Sequence, residues 1–177
     1  MNDERRSTAP LFISPTVKAK VEKTNAARLL DRAGVEYALV PYEVDENDLA
    51  ATRVARELGE APRRVFKTLV LRGEKNGLFA CVIPGDAEVD LKAAAKASGN
   101  KKVEMLPVKE LLPATGYVRG GCSPVGMKKR LPTWIDPSCR QFDAIFVSAG
   151  VRGLQLRVNP DDLIRVTGAM VAGLINA

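Results

Sequence analysis

Apolar and polar positions first repeat with a helical period in "NAARLLDRAG", residues 25–34, where Leu29 and Leu30 turn inward and the charged residues fall elsewhere. Thr24 just ahead is an N-cap residue, and Gly34 stands where a helix stops. The pattern changes to a strand in "VEYALVPY". It returns to a helix in "ENDLAATRVARELGE", with Asn47 or Asp48 as cap and Gly59 as stop. Two β-rich runs follow in "RRVFKTLVLRGEKNGLFACVIPG", joined at Asn76-Gly77, a dipeptide that suits a hairpin turn. Asp90 heads a helix, "LKAAAKASG", which ends at Gly99. A short strand, "KKVEM", and a proline-started helix, "PVKELL", lead into a glycine-rich loop. Beyond the loop "PTWID", "AIFVSAG" and "LQLRV" read as strands, and Asn159-Pro160 starts a last helix, "DDLIRVTG". Helices and strands mix without regular βα alternation, which predicts an α+β fold with a mixed sheet.

Residues 1–23 lack such periodicity and read as a peripheral arm, leaving 24–177 as one domain large enough for its own core. In that arm "APLFISPTV" is interrupted by Pro10 and Pro15 and followed at once by Lys18, Lys20 and Glu22, a poor leader pattern. No run approaches the roughly 18 consecutive apolar residues of a membrane span. Cys81, Cys122 and Cys139 form no CxxC pair and leave one thiol over in any pairing, as suits a reducing compartment. The expectation is a cytoplasmic protein with no membrane partner. The charge changes this picture. Residues 92–140 carry ten lysines and arginines against Glu104, Glu110 and Asp136, although the whole chain is only +6. A concentrated basic segment fits a polyanionic partner, or else a solvated lysine-rich face.

The chain has no histidine. This excludes Ser-His-Asp and Cys-His catalysis and every histidine zinc site. Neither GxxxxGK[ST] nor a GxGxxG between strand and helix is present, and the acidic runs "DEND" and "PDD" read as helix N-terminal signals, so neither metal nor cofactor is expected. Lys67 shares a strand face with Val65, Leu69 and Leu71 in "VFKTLVL". Such a lysine either guards a sheet edge or performs chemistry. The loop "GYVRGGCSPVGMKKR", residues 116–130, allows two readings also: backbone amides near Gly120, Gly121 and Cys122 that cradle an oxyanion or phosphate, or an ordinary turn. Cys122 has no histidine to activate it as a nucleophile.

"VFKTLVL", "DLKAAAKASGNKKVEM", "TGYVRGGCSPVGMKKRLPTWID", "IFVSAGVRGLQL" and "PDDLIRVTGA" occur in an order and at spacings that resemble the YbaK/EbsC proteins, relatives of the editing domain of bacterial prolyl-tRNA synthetase. The similarity spans roughly residues 24–170. It implies an α+β fold with a mixed, partly barrel-like sheet. It also implies trans-editing hydrolysis of mischarged tRNA, with Cys-tRNA(Pro) as substrate and the cysteinyl thiol attacking its own ester. Another small aminoacyl-tRNA such as Ala-tRNA(Pro), or a non-catalytic tRNA-binding module associated with a synthetase, are the alternatives. The partners implied are the aminoacylated CCA end of tRNA and prolyl-tRNA synthetase. By the same resemblance Lys67 and Gly120 are the catalytic candidates. Tyr42, Thr68, Gly121, Ser123, Pro124 and Ser148 are substrate-binding candidates, and Lys128, Lys129 and Arg130 are expected on tRNA phosphates. Tyr42, Tyr117 or Trp134 could stack the CCA bases. The chain departs from the family pattern at Gln155, where relatives carry Asp, and at "LAA", residues 49–51, where an aromatic is expected.

Overall fold

The computed structural model describes residues 21–176, so the expected arm lies outside the described residues except for its last three positions. Helix α1 (Asn25–Arg32) begins where Thr24 accepts the Ala27 N–H at 3.2 Å and closes through Gly34 at φ +71°. Strand β1 (Tyr37–Pro41) follows. Helix α2 (Ala51–Leu58) starts later than the sequence suggests, and its N-cap is Ala50 rather than Asn47 or Asp48. The cause is local: the Asp45 and Asp48 carboxylates accept the N–H groups of Asn47 and Ala50, folding the acidic stretch into turns that compete with helix.

The hairpin β2 (Phe66–Gly73) and β3 (Gly77–Pro84) is joined by a three-residue turn, with Gly77 at φ +76°. Helix α3 (Leu91–Ser98) is capped by Asp90, whose carboxylate accepts from Lys92 and Ala93. Strand β4 (Val103–Met105) leads to helix α4 (Val108–Thr115), which continues past Leu112 through Pro113 and ends at Gly116. After the glycine loop come β5 (Thr133–Ile135), β6 (Ile145–Ser148), β7 (Leu154–Val158) and α5 (Pro160–Thr167), the last capped by Asn159. A two-residue strand, β8 (Met170–Val171), was not legible in the hydropathy pattern.

The strands form two sheets, not one. Five are ordered β4-β2-β3-β5-β8, with antiparallel pairs at β4/β2 and β2/β3 and parallel pairs at β3/β5 and β5/β8. Three are antiparallel in the order β1-β7-β6. A bridge between Val65 and Phe146 joins the sheets. The result is the expected mixed α+β arrangement, built on two sheets rather than one. The parallel β3/β5 pair requires a long crossover, and that crossover carries α3, β4, α4 and the glycine loop to the open side of β2.

One core packs α1 and α5 on the three-stranded sheet around Leu30, Leu156 and Leu163. A second lies beneath the hairpin around Leu71, Phe79 and Leu174. Among the described residues no helix is long and apolar enough to cross a membrane. Asp136 ties the C-terminal segment to the second core. The residue is 3% exposed, and its carboxylate accepts from the Ser138 N–H at 3.1 Å, the Ser138 hydroxyl at 2.6 Å and the Leu174 N–H at 3.0 Å. Asp136→Ala leaves these buried donors unpaired and is expected to cost about 2–3 kcal/mol. The check is a lower urea midpoint at unchanged slope.

Candidate functional site

Strand β4 pairs with β2 only over Leu71–Gly73, so among the described residues the outer edge of β2 before Leu71 has no strand neighbour in its sheet. A cavity of about 410 Å³ runs along that edge. Neighbouring residues of a strand point to opposite faces, yet Lys67 and Thr68 both line this space because it wraps round the uncovered edge. Leu49 and α2 close one side, Met105 and α4 another, and the loop at Arg119, Gly120 and Cys122 the third; Ser148 and Gln155 enter from the three-stranded sheet.

Lys67 is half-buried. Its Nζ donates to the Gly85 carbonyl at 3.3 Å, and no carboxylate among the described residues is within ion-pair distance. Burial lowers its pKa from the ordinary lysine value, while the charges of Glu88 and Asp86 act in the opposite sense. Two polar atoms in the same lining are also unpartnered among the described residues: the buried Thr68 Oγ1 and the Oε1 of Gln155, a residue only 5% exposed. Buried oxygens of this kind are normally hydrogen-bonded, and both of these can accept from a donor placed in the cavity.

The loop is held from behind. Gly120 has φ +85°, a conformation that favours glycine, and a Cβ there would stand 3.3 Å from Leu49 Cδ2. The Gly121 N–H donates to Val118 at 2.9 Å, whereas the N–H groups of Gly120 and Cys122 find no acceptor among the described residues. Arg152 donates through Nε to the Arg119 carbonyl at 2.9 Å and through its guanidinium to Glu46 at 3.0 Å, fastening the loop to the segment before α2. Tyr117 braces the other end, its hydroxyl donating to the Val125 carbonyl at 2.6 Å.

The cavity therefore gathers Lys67, Thr68, Gly120 and Ser148; the Ser148 hydroxyl accepts the Gly150 N–H at 3.0 Å. The other nominated residues stand outside its lining. Tyr42 packs behind it against the cluster containing Val54 and Val65. Gly121 backs onto the main chain of Val151 and Arg152. Ser123 is fully buried and its hydroxyl accepts the Val125 N–H, and Pro124 faces a separate hollow of about 250 Å³. Lys128 and Lys129 are exposed. Arg130 is exposed too, but its guanidinium caps α5 by donating to the Thr167 carbonyl at 3.0 Å.

Neither Tyr42, Tyr117 nor Trp134 lines the cavity, so stacking of the CCA bases there is not supported; Tyr117 supports the loop and Trp134 packs edge-on to Phe79. Sequence reasoning passed over Arg119, Met105 and Val108. It treated Gln155 only as a departure, although a polar residue between Leu154 and Leu156 in a buried strand was a readable signal. A wider cleft, about 810 Å³, includes Lys23 and Arg152, both already ion-paired, and of the nominated residues it takes in Tyr117 but neither Lys67 nor Gly120.

Cys122 lines the cavity, but burial pushes its thiol up to about 12, which leaves almost no thiolate near neutrality. Cys122→Ala is expected to keep kcat/KM within a factor of about three, read in a deacylation assay, since a dispensable thiol contributes only packing.

Comparison with known proteins places these features in context. The aminoacyl-tRNA editing domain matches residues 46–166, which include β2, the glycine loop and β7. EbsC of Enterococcus faecalis, provisionally named a Cys-tRNA(Pro)/Cys-tRNA(Cys) deacylase, is 48% identical over 155 residues, covering 88% of this chain and 94% of its own. The proline–tRNA ligase of Brachyspira hyodysenteriae is 25% identical over 129 residues, which are 72% of this chain and 22% of that one. A solved structure described as a provisional trans-editing enzyme for prolyl-tRNA synthetase superposes with a TM-score of 0.76 at 25% identity, covering 88% of this chain and 100% of its own.

Proposed function

Because this chain belongs to the aminoacyl-tRNA editing domain family, we propose that it is a trans-editing deacylase that cleaves the ester of Cys-tRNA(Pro). The observation that carries this reading is Lys67, without an ion-pair partner among the described residues, sharing one cavity with the Thr68 and Gln155 oxygens that have no hydrogen-bond partner among them. An aminoacyl ester complements both. Its carbonyl oxygen gains negative charge during cleavage, and its α-ammonium donates hydrogen bonds.

The substrate supplies the nucleophile. The cysteinyl sulfur attacks the ester carbonyl carbon, the bond from that carbon to the ribose oxygen breaks, and the ribose oxygen takes the proton lost by the thiol. The products are a cyclic thiolactone, which water opens to cysteine, and free tRNA. The protein's part is to hold the thiol against the carbonyl, where effective concentration is high, and to stabilise the oxyanion. Lys67 as ammonium, with the N–H groups of Gly120 and Cys122, serves the oxyanion. Thr68 and Gln155 accept from the α-ammonium, and Ser148 borders them.

Lys128, Lys129 and the exposed Arg119 at the cavity mouth contact phosphates of the acceptor end, while Arg130 acts mainly through its helix cap. tRNA affinity is then expected to fall steeply with salt, with a log–log slope near −0.7 to −0.9 per phosphate contacted. A flat response in a titration from low to high salt contradicts this placement. Prolyl-tRNA synthetase is the proposed partner that confers selectivity for tRNA(Pro). The decisive assay compares Cys-, Ala-, Ser- and Pro-charged tRNA(Pro). Cleavage of Cys-tRNA(Pro) with release of a thiolactone supports the route, whereas comparable cleavage of Ala-tRNA(Pro), which has no thiol, overturns it as the sole chemistry.

A further inference from the structure

The cavity is several times larger than a cysteinyl group, and its apolar portion has no role in the chemistry above. The two large apolar side chains of its lining that stand exposed are Met105, at 44%, and Val108, at 60%. Met105 ends β4 and pairs with Leu71, while Val108 begins α4. Three positions apart at the junction of β4 and α4 and lining the same cavity as Lys67, these exposed side chains offer an apolar ledge.

We propose that this ledge seats the adenine of the terminal nucleotide, with the Met105 thioether and the Val108 methyl groups against the purine face. The inference rests on the deacylase reading, which puts the ester beside Lys67. Four residues of extended β2 separate Lys67 from the Leu71–Met105 pair, about 13 Å along the strand, a separation that an ester-linked nucleoside spans. No exposed aromatic ring among the described residues enters this lining: Phe66 lines it but is only 2% exposed, Tyr117 braces its loop and borders the separate wider cleft, Trp134 packs against Phe79, and Tyr42 lies behind Val54 and Val65. Methionine is suited to the place, because its polarisable sulfur makes favourable contacts with aromatic rings and adapts to their outline.

The test uses chemically acylated cysteinyl minihelices that reproduce the acceptor stem and end either in adenosine or in an abasic ribose. Met105→Gln and Val108→Gln, both at exposed positions, are compared with wild type. Met170→Gln serves as control, being a half-exposed methionine on the opposite edge of the five-stranded sheet. Each ledge variant is expected to raise KM for the adenosine substrate about three- to tenfold with kcat unchanged. Neither should alter cleavage of the abasic substrate, and the control should alter nothing. Wild-type cleavage with equal KM for both substrates, or an unchanged KM in the ledge variants, overturns this inference alone. Failure of the wild type to cleave either substrate overturns the deacylase reading and the ledge with it.

Discussion

Lys67→Ala is expected to lower kcat/KM for Cys-tRNA(Pro) by roughly 10²–10³, the scale on which a preorganised donor to an oxyanion contributes, while tRNA affinity changes little. The side chain makes one hydrogen bond, to Gly85, and no ion pair within the described residues, so its removal frees a cavity wall without stranding a buried charge. A half-buried cation kept without a carboxylate partner is better suited to function than to stability. Lys67→Met should therefore be equally inactive, with an unchanged or raised melting temperature, since side chains kept for activity are often replaceable at no cost to the fold. Lys67→Arg should not restore full activity, because a planar guanidinium does not fit the place of a compact ammonium. The pH dependence has a definite sign. Burial holds the Lys67 pKa below the ordinary lysine value, so the ammonium is present below that pKa and is lost as pH rises through it. The contribution of Lys67, measured as the ratio of wild-type to Lys67→Met rates, should decline earlier in an alkaline titration than it would for an exposed lysine.

Gly120→Val should produce the second large loss, a fall of about tenfold to a hundredfold in kcat/KM from misplacing the reactive ester. At φ +85° a branched residue is strained by about 1–2 kcal/mol, and its Cβ would press on Leu49 Cδ2 at 3.3 Å and Arg152 Nε at 3.4 Å. Leu49 Cδ2 is the free end of a side chain and Arg152 Nε, though held by the Arg119 carbonyl, is met at ordinary contact distance, so the protein still folds, with a small fall in melting temperature. What moves is the loop, together with the Arg152 latch that joins Arg119 to Glu46. Gly120→Ala, with the same strain but less bulk, should fall between wild type and Gly120→Val in activity.

The parts of the molecule that were legible in the sequence are those fixed by neighbours in the chain. Thr24, Asp90 and Asn159 cap the helices that they precede, because a cap is a contact across two or three residues. The hairpin at Asn76-Gly77 and the strands of "AIFVSAG" and "LQLRV" were readable for the same reason. The α2 boundary was misplaced because Asp45 and Asp48 can cap a helix or close a turn with the same atoms, and packing decides between them. The division into two sheets and the strand β8 depend on pairings far apart in sequence, such as Trp134 with Met170.

The site shows the same split. Lys67 was visible as a charge among apolar residues of one strand, and Gly120 as part of a glycine pair. That Arg119, Met105 and Val108 border the same space follows from a crossover that folds back onto β2, and no local pattern reports it. The grouping of Lys128, Lys129 and Arg130 by sequence adjacency also concealed that Arg130 reaches 37 residues ahead to cap α5.

The central claim is that a histidine-free cavity built on Lys67 speeds the loss of cysteine from its tRNA. Its most direct test follows the ester lifetime of Cys-tRNA(Pro) with purified protein, with the Lys67→Ala variant and in buffer. The account predicts rapid loss with the wild type and, for the variant, a lifetime close to that in buffer. An ester that survives equally long in all three contradicts it.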